Sequence, residues 1–369
     1  MNREQERLVN AELDRICHVL RKNMERYGEN FPSACATAGV YRIKKNDDWT
    51  NGFWTGMLWM AYLHTGDESF RRLALKNVDS FIRRLDEHFI LDHHDIGFLY
   101  SPSVEAAWRI EKDESLKTQI LRAADVLASR FQEKGGFIQA WGALDNPNEY
   151  RLIIDSLLNL PLLYTASEIS KDGRYRAIAD THYERVIANI VRQDGSTFHT
   201  FYFDPATGEP SHGATHQGFS DNSCWARGQA WAIYGMVLHR RVSGSWSERE
   251  QAIWEKVLAY FEEHLPKDGM PYWDLVFSDG SDEPRDSSAL AVAACGLLEA
   301  GKIQRGLEMA ETCLNLASSK EEATSEGLLL HGVYAYAEGK GVNEPNLWGD
   351  YFYMEALMRL VRPDWTAFL

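Results

Sequence analysis

Nowhere in these 369 residues does an uninterrupted apolar run approach the ~20 residues that a membrane-spanning helix needs, so a membrane partner is not expected. Positive charge is scarce. Thirty-nine Lys and Arg stand against 54 Asp and Glu, a net charge of −15. Nucleic acid is excluded as a partner on that balance, because phosphate binding needs a basic footprint. An anionic ligand would have to be met by local Arg or His inside a pocket, which screening over about 8–10 Å allows. Cysteine is sparse and odd in number: Cys17, Cys35, Cys224, Cys295 and Cys313 are scattered, with no CxxC pair. That usage fits a reduced, cytoplasmic protein and neither a disulfide scaffold nor a zinc site. The opening MNREQERLVNAELDR has no apolar signal region. GxSxG, HExxH and glycine-rich phosphate loops are all missing, so serine-hydrolase, zinc-protease and nucleotide chemistry lose their usual signatures and no metal or cofactor is expected.

What is present is aromatic and helical. Aromatic residues make up 12% of the chain, including twelve Trp. Most Trp fill cores, but the same flat apolar face with one polar edge also stacks on sugar rings. Strand signals are weak and helical spacing dominates, as in Leu13, Ile16, Leu20 and Met24. Two kinds of helix alternate. Residues 4–26, 67–88, 113–132, 173–192, 247–265 and 302–318 are amphipathic, with one apolar stripe and one wet face.

The other kind is apolar or small nearly all round and opens on a polar or aromatic cluster. These clusters are Asp48-Trp49-Thr50-Asn51-Gly52, Asp95-Ile96-Gly97, Asp155-Ser156, Asp221-Asn222-Ser223, Asp286-Ser287-Ser288 and Trp348-Gly349-Asp350. They recur at roughly 50–65 residues, the period of repeated helical pairs. Asp, Asn and Ser are good N-caps, so capping is the plain reading of each cluster. If six inner helices run parallel in a ring, however, all six starts gather at one end and line a shared pocket. The expectation is an all-α (α/α)6 toroid of six inner and six outer helices. No linker or composition break divides residues 1–369, so one domain is expected.

Near the helix starts, loops supply His93, His94 and Asp95, then Trp141, His199, His216, Gln217, Asp221, Arg227 and Trp231. Acid–base work by carboxylates is the chemistry best supported. Two carboxylates on one pocket push their pKa values apart, leaving one protonated near neutral pH. A helix N-terminus pulls the other way by favouring the anion. Which influence wins at Asp95 or Asp155 is not legible here. Arg227, in the otherwise small and apolar ARGQAW, is expected to be buried and could pair with a substrate carboxylate.

The segments DWTNGFWTG, HDIGFLY, RLIIDSLLNLPLL, HQGFSDNSCWARGQAWAIYG and LWGDYFYMEALMRL together resemble the unsaturated glucuronyl hydrolases of glycoside hydrolase family 88, from about residue 45 onward. The resemblance implies the same (α/α)6 barrel. It also implies a substrate made by polysaccharide lyases, an oligosaccharide ending in a uronic acid with a C4=C5 double bond. An acid protonates C4, water adds at C5, and the hemiketal opens to release the sugar. The usual link between carboxylate separation and anomeric outcome does not apply to such a reaction.

By the same matching Asp155 is the general acid and base and Asp95 assists and orients it. Trp49, Phe53, Trp141 and Trp231 would line the sugar sites, and His94, His199, His216, Gln217 and Arg227 would contact the substrate and its carboxylate. Glycosaminoglycan disaccharides are the expected substrates.

One departure stands out. Members that prefer sulfated disaccharides carry Ser-x-x-Ser-x-Lys where this chain has Ala335-Tyr336-Ala337-Glu338-Gly339-Lys340, and an acid there should repel a 6-sulfate. The competing readings are an unsaturated rhamnogalacturonyl hydrolase acting on pectin fragments, a sugar 2-epimerase exchanging protons through His199 and His216, and a non-catalytic glycan binder in which Asp155 is only a cap.

Overall fold

The amphipathic segments fold as the outer layer of a ring. In the computed structural model, which describes residues 1–369, helix α1 (Arg3–Tyr27) turns Val9, Leu13, Ile16, Cys17 and Leu20 inward and opens on a capping box of Asn2 and Gln5. The other outer helices are α3 (Glu68–Asp86), α6 (Leu116–Ala128), α8 (Gly173–Asn189), α10 (Glu248–Glu263) and α12 (Ile303–Leu316). Between them in the chain lie the inner units. These are α2 (Asn51–Thr65), α4 (Ile96–Tyr100) continued through a π-helical turn at Ser101–Glu105 into α5 (Ala106–Glu111), α7 (Leu160–Ser170), α9 (Ala226–Ser243), α11 (Ser287–Glu299) and α13 (Leu347–Val361). Each inner unit packs on the next, and α13 closes on α2. The result is the (α/α)6 barrel expected from the repeat, with the inner helices buried all round because they face the barrel axis on one side and the outer layer on the other.

Two glycines set how tightly the ring closes beside the site. A Cβ on Gly52 would fall 2.0 Å from the Phe98 carbonyl oxygen, and one on Gly97 would fall 2.4 Å from the Asn159 Cα. Only glycine lets the starts of α2, α4 and α7 approach so closely. Asn159 uses that proximity. Its Oδ1 accepts from the Phe98 amide at 2.8 Å, tying the chain after Asp95 to the chain after Asp155.

The weak strand signals understate the loops. Nine short strands form four small sheets: β1 (Phe31–Thr37) with β2 (Val40–Lys44), β3 (Phe131–Gln132) with β4 (Phe137–Ile138), β5 (Arg151–Ile153) with β6 (Thr200–Phe203) and β7 (Pro210–Ala214), and β8 (Gly332–Ala335) with β9 (Lys340–Glu344). All pairs are antiparallel, with Ile153 opposite Thr200 and Arg151 opposite Tyr202. Segments this short carry no readable period, and their pairing depends on the helices that bring them together. They also crosslink the site. Ala140 accepts from the His94 amide at 2.7 Å and donates to the Arg151 carbonyl at 3.1 Å, so one residue joins the Asp95 loop to the strand leading into Asp155.

Candidate active site

The six polar clusters do gather at one end of the ring, but capping explains few of them. Asp286 caps α11 by accepting from the Ser288 amide. Asp95 stands at the N-cap of α4 yet makes no capping hydrogen bond. Asp155 sits inside a 3-10 turn (Ile154–Leu158) that precedes α7, and its side chain caps nothing. Asp221 is exposed and lies ahead of α9, whose N-cap is Trp225. Asp48 precedes Thr50, the N-cap of α2. Asp350 lies within the first turn of α13 and accepts from the Leu328 and Leu329 amides and the Tyr41 hydroxyl. The capping reading thus holds for Asp286 and is corrected for the others.

Asp95 and Asp155 face each other across His94. The His94 Nε2 lies 3.4 Å from Asp95 Oδ1 and 3.3 Å from Asp155 Oδ1. The imidazole is 1% exposed, and the two carboxylates are 13% and 18% exposed. Burial drives the His94 pKa down to about 4, so the ring is neutral near pH 7. Burial also works against charge on Asp95, but His94, His93 and Arg130 outweigh it and hold Asp95 below the ordinary carboxylate range. Asp155 is held well above that range, first by burial and then by the charge of Asp95, despite the opposing pull of Arg227 and of the Asp155 and Ser156 amides. Their surroundings therefore pull the pair apart, Asp95 toward the anion and Asp155 toward the protonated acid. The tug-of-war left open by the sequence is decided for Asp155 by desolvation and a like charge, against its own turn's amides. Oδ1 of Asp155 is buried against the His94 ring without a well-formed hydrogen bond, so the exposed part of this carboxyl lies away from Oδ1.

His94, Asp95 and Asp155 also offer three ligand atoms within 4.8 Å of one another, a geometry that could hold a cation. A metal would have to displace the proton from Asp155 to bind there, so proton and cation compete for the same oxygens.

The aromatic residues expected around the sugar divide into two sets. Trp49 donates from Nε1 to the Tyr334 hydroxyl at 2.8 Å, stacks on Trp348 at 5.3 Å and keeps part of its surface open. Trp141 is 36% exposed, with the Arg151 guanidinium 4.6 Å from its ring centre. Phe53 and Trp231 are 0% and 1% exposed and pack with Phe98 and Phe352 beneath the site. They form its floor support rather than a wall a sugar could touch, because the inner helices that carry them are buried on every side.

Arg227 is buried as expected, but the expected clamp on a carboxylate is already closed on protein. Its Nη1 donates to Asp286 Oδ2 at 3.0 Å and to the Val333 carbonyl, and its Nη2 donates to Gln217 Oε1 at 2.6 Å and the Tyr334 carbonyl at 2.8 Å. The indoles of Trp225 and Trp348 lie 4.3 and 4.7 Å from the guanidinium. Both terminal nitrogens are thereby spent, leaving Nε–H, and Arg227 reaches a ligand mainly by orienting Gln217. His199 accepts at Nδ1 from the His216 and Gln217 amides at 2.9 and 3.2 Å. Its proton therefore sits on Nε2, and burial holds its pKa well below the ordinary value, so it is a neutral donor. That also weakens the epimerase reading, since the His199 lone pair is already used. His216 is exposed, 5.8 Å from both Trp141 and His199 between ring centres.

Sequence reasoning missed Arg151, Trp225, Tyr334 and the counter-ion role of Asp286. Arg151 is a second buried cation, paired with Glu149 at 2.6 Å and 5% exposed. Its position immediately ahead of LIID was the available signal; nothing in the local sequence marked Tyr334.

A sequence model of Glycosyl Hydrolase Family 88 matches residues 23–307. The chain belongs to glycosyl hydrolase family 88. It is 44% identical to the unsaturated chondroitin disaccharide hydrolase of Streptococcus agalactiae serotype III (strain NEM316), over 98% of this chain and 93% of that one. The solved unsaturated glucuronyl hydrolase of Bacillus sp. GL1, described as responsible for the degradation of glycosaminoglycan, superposes with a TM-score of 0.91 at 40% identity, covering 95% of this chain and 96% of that one. A mutant of the Streptococcus agalactiae enzyme solved in complex with dGlcA-GalNAc6S superposes with a TM-score of 0.86 at 40% identity, covering 98% and 93%. That mutant and a second one each carry a single Asp→Asn change. As a family 88 member the chain is a glycoside hydrolase acting on unsaturated uronides.

Proposed function

We propose that this enzyme removes 4,5-unsaturated glucuronic acid from the non-reducing end of lyase-generated hyaluronan- or chondroitin-type disaccharides, with Asp155 as acid and base. The observation that carries the reading is the divided pair: Asp155, drawn toward its protonated form by burial and a like charge, faces Asp95, held toward its anion, with the His94 ring between them. The two aspartates replaced in the Streptococcus agalactiae structures lie as far apart in that sequence as Asp95 and Asp155 do here, which supports the same assignment.

Asp155 gives its proton to C4 of the enol ether. Positive charge develops at C5 and the ring oxygen, and the Asp95 anion is a group suited to stabilise it. The Asp155 carboxylate then takes a proton from water as its oxygen adds to C5, and the resulting hemiketal opens to free the leaving sugar. Both protonation states of Asp155 are used and restored in one turnover, and general acid–base help of this kind is worth about 100- to 10,000-fold. The Nε2–H of His199 and the amide of Gln217, backed by Arg227, are donors suited to the substrate carboxylate, and Trp49 and Trp141 offer stacking faces.

Glu338 is exposed on the turn between β8 and β9, and its charge raises the pKa of His216 against the lowering by burial, so it is felt at the site's rim. An acid at that position disfavours a 6-sulfate. The net charge of −15 argues against nucleic acid as a partner. No helix is long and apolar enough to cross a membrane, and all five cysteines are free and buried, which together support a reducing, cytoplasmic location.

The test uses an unsaturated chondroitin or hyaluronan disaccharide and follows loss of the ultraviolet absorbance of its conjugated double bond. Wild type should turn over and Asp155→Asn should not. Inactivity of wild type on every unsaturated uronide would end the substrate reading, and full activity of Asp155→Asn would end the role given to that residue.

A further inference from the structure

His182 lies on outer helix α8, in no motif, and is fully buried. Both of its ring nitrogens are engaged. Nδ1 accepts from the Ile138 amide at 2.9 Å, and Nε2 lies 2.7 Å from the Ser156 hydroxyl. An amide can only donate, so Nδ1 carries no proton and Nε2 does. The Nε2–H therefore donates to Ser156 Oγ, and that hydroxyl donates in turn to the Ile153 carbonyl at 2.5 Å. Every link in this buried chain has one direction. Burial, with a smaller contribution from His94, drives the His182 pKa down to about 3, so the chain holds its polarity across the working pH range.

The chain joins two parts of the site. Ile138 ends β4, the strand that runs on to Trp141, and Ser156 follows Asp155. No side-chain hydrogen bond fixes the Asp155 carboxyl, whose Oδ1 only packs against His94 Nε2 at 3.3 Å, so its direction depends on the backbone turn that carries it. We propose that His182 is a positioning residue, holding the Asp155 turn through Ser156 and the Trp141 strand through Ile138 without touching substrate. The proposal rests on Asp155 being the acid. It places the aim of the acid under the control of the outer layer of the barrel.

Two substitutions separate the arms. His182→Asn puts an amide oxygen where Nδ1 lies, keeping the Ile138 link and losing the donor to Ser156. His182→Gln puts an amide nitrogen near Nε2, keeping the Ser156 link and losing the acceptor for Ile138. In His182→Asn, kcat should fall roughly 10- to 100-fold, the scale for a small misplacement of a reacting group, with KM little changed. The basic limb of its kcat–pH profile should move to lower pH, because a carboxyl freed toward water loses part of the burial that keeps it protonated. The charged and titratable groups facing Asp155, namely Asp95, His94 and Arg227, are unaltered in both variants. Ser156→Ala, a smaller change, should repeat the His182→Asn result. His182→Gln should keep most of kcat and raise KM. Equal losses in both variants with KM and the pH limb unmoved would mark a merely structural histidine and overturn the proposal, as would wild-type kcat in His182→Asn. Asp155→Asn is run alongside. Activity there defeats the assignment of the acid, whereas an inactive Asp155→Asn beside an unimpaired His182→Asn defeats only this inference.

Discussion

Replacing Asp95 by Asn removes a charge from beside Asp155 while leaving its volume and the burial of the site almost unchanged. The facing oxygens of the two carboxyls lie within 4.8 Å. Two unit charges at that separation repel by about 3.5 kcal/mol at an effective dielectric of about 20 and by about 1 kcal/mol in water. At 1.36 kcal/mol per unit, that is between about 0.6 and about 2.5 pH units on Asp155. The direction follows from the role. Asp155 must carry a proton to act as acid, so activity is lost as pH rises through its pKa. Without the Asp95 charge that pKa falls, and the basic limb of the rate profile moves to lower pH by the same amount. It does not return to the ordinary carboxylate value, because burial, the larger cause of the elevation, remains. Initial rates on an unsaturated chondroitin disaccharide from about pH 4 to 8 would show this as a displaced limb, whatever the absolute loss in rate. A limb left in place, or displaced upward, would refute the claim that Asp95 keeps Asp155 protonated.

Asp155→Asn should unfold at a higher temperature than wild type at pH 8, with the difference vanishing toward pH 4. A carboxyl whose folded pKa is raised costs stability as pH climbs from its unfolded value to its folded one, and scanning calorimetry across pH would measure it. Breaking the buried Arg227–Asp286 pair by Arg227→Met should cost about 3–5 kcal/mol in urea unfolding by stranding Asp286, and adding Asp286→Leu should recover part of the loss. A 6-sulfate on the disaccharide should not raise turnover, while Glu338→Ser should improve kcat/KM for the sulfated substrate relative to the plain one. A chelator should leave activity unchanged, and added Zn2+ should inhibit more strongly as pH rises, because cation and proton compete for Asp155.

The six outer helices, the six inner units and their alternation were legible in the sequence because nearly all are long enough to show a stripe or the lack of one: the charged helix α1 and the largely apolar α11 declare their layers without help. The repeat placed Asp95 and Asp155 at one end of the ring, and the family motif put the proton on Asp155. What the sequence alone could not decide depends on distances between residues far apart in the chain. That Arg227 is spent on Asp286, Gln217 and two carbonyls, that Phe53 and Trp231 lie under the site, and that an outer-helix histidine reaches Ser156 follow from packing that no local pattern encodes. The pKa division is of the same kind. Local sequence offered Asp155 only a helical turn that favours its anion. Burial and a like charge sixty residues upstream, brought close by Gly97 and Asn159, reverse that preference, because desolvation and Coulomb repulsion act through space and not along the chain.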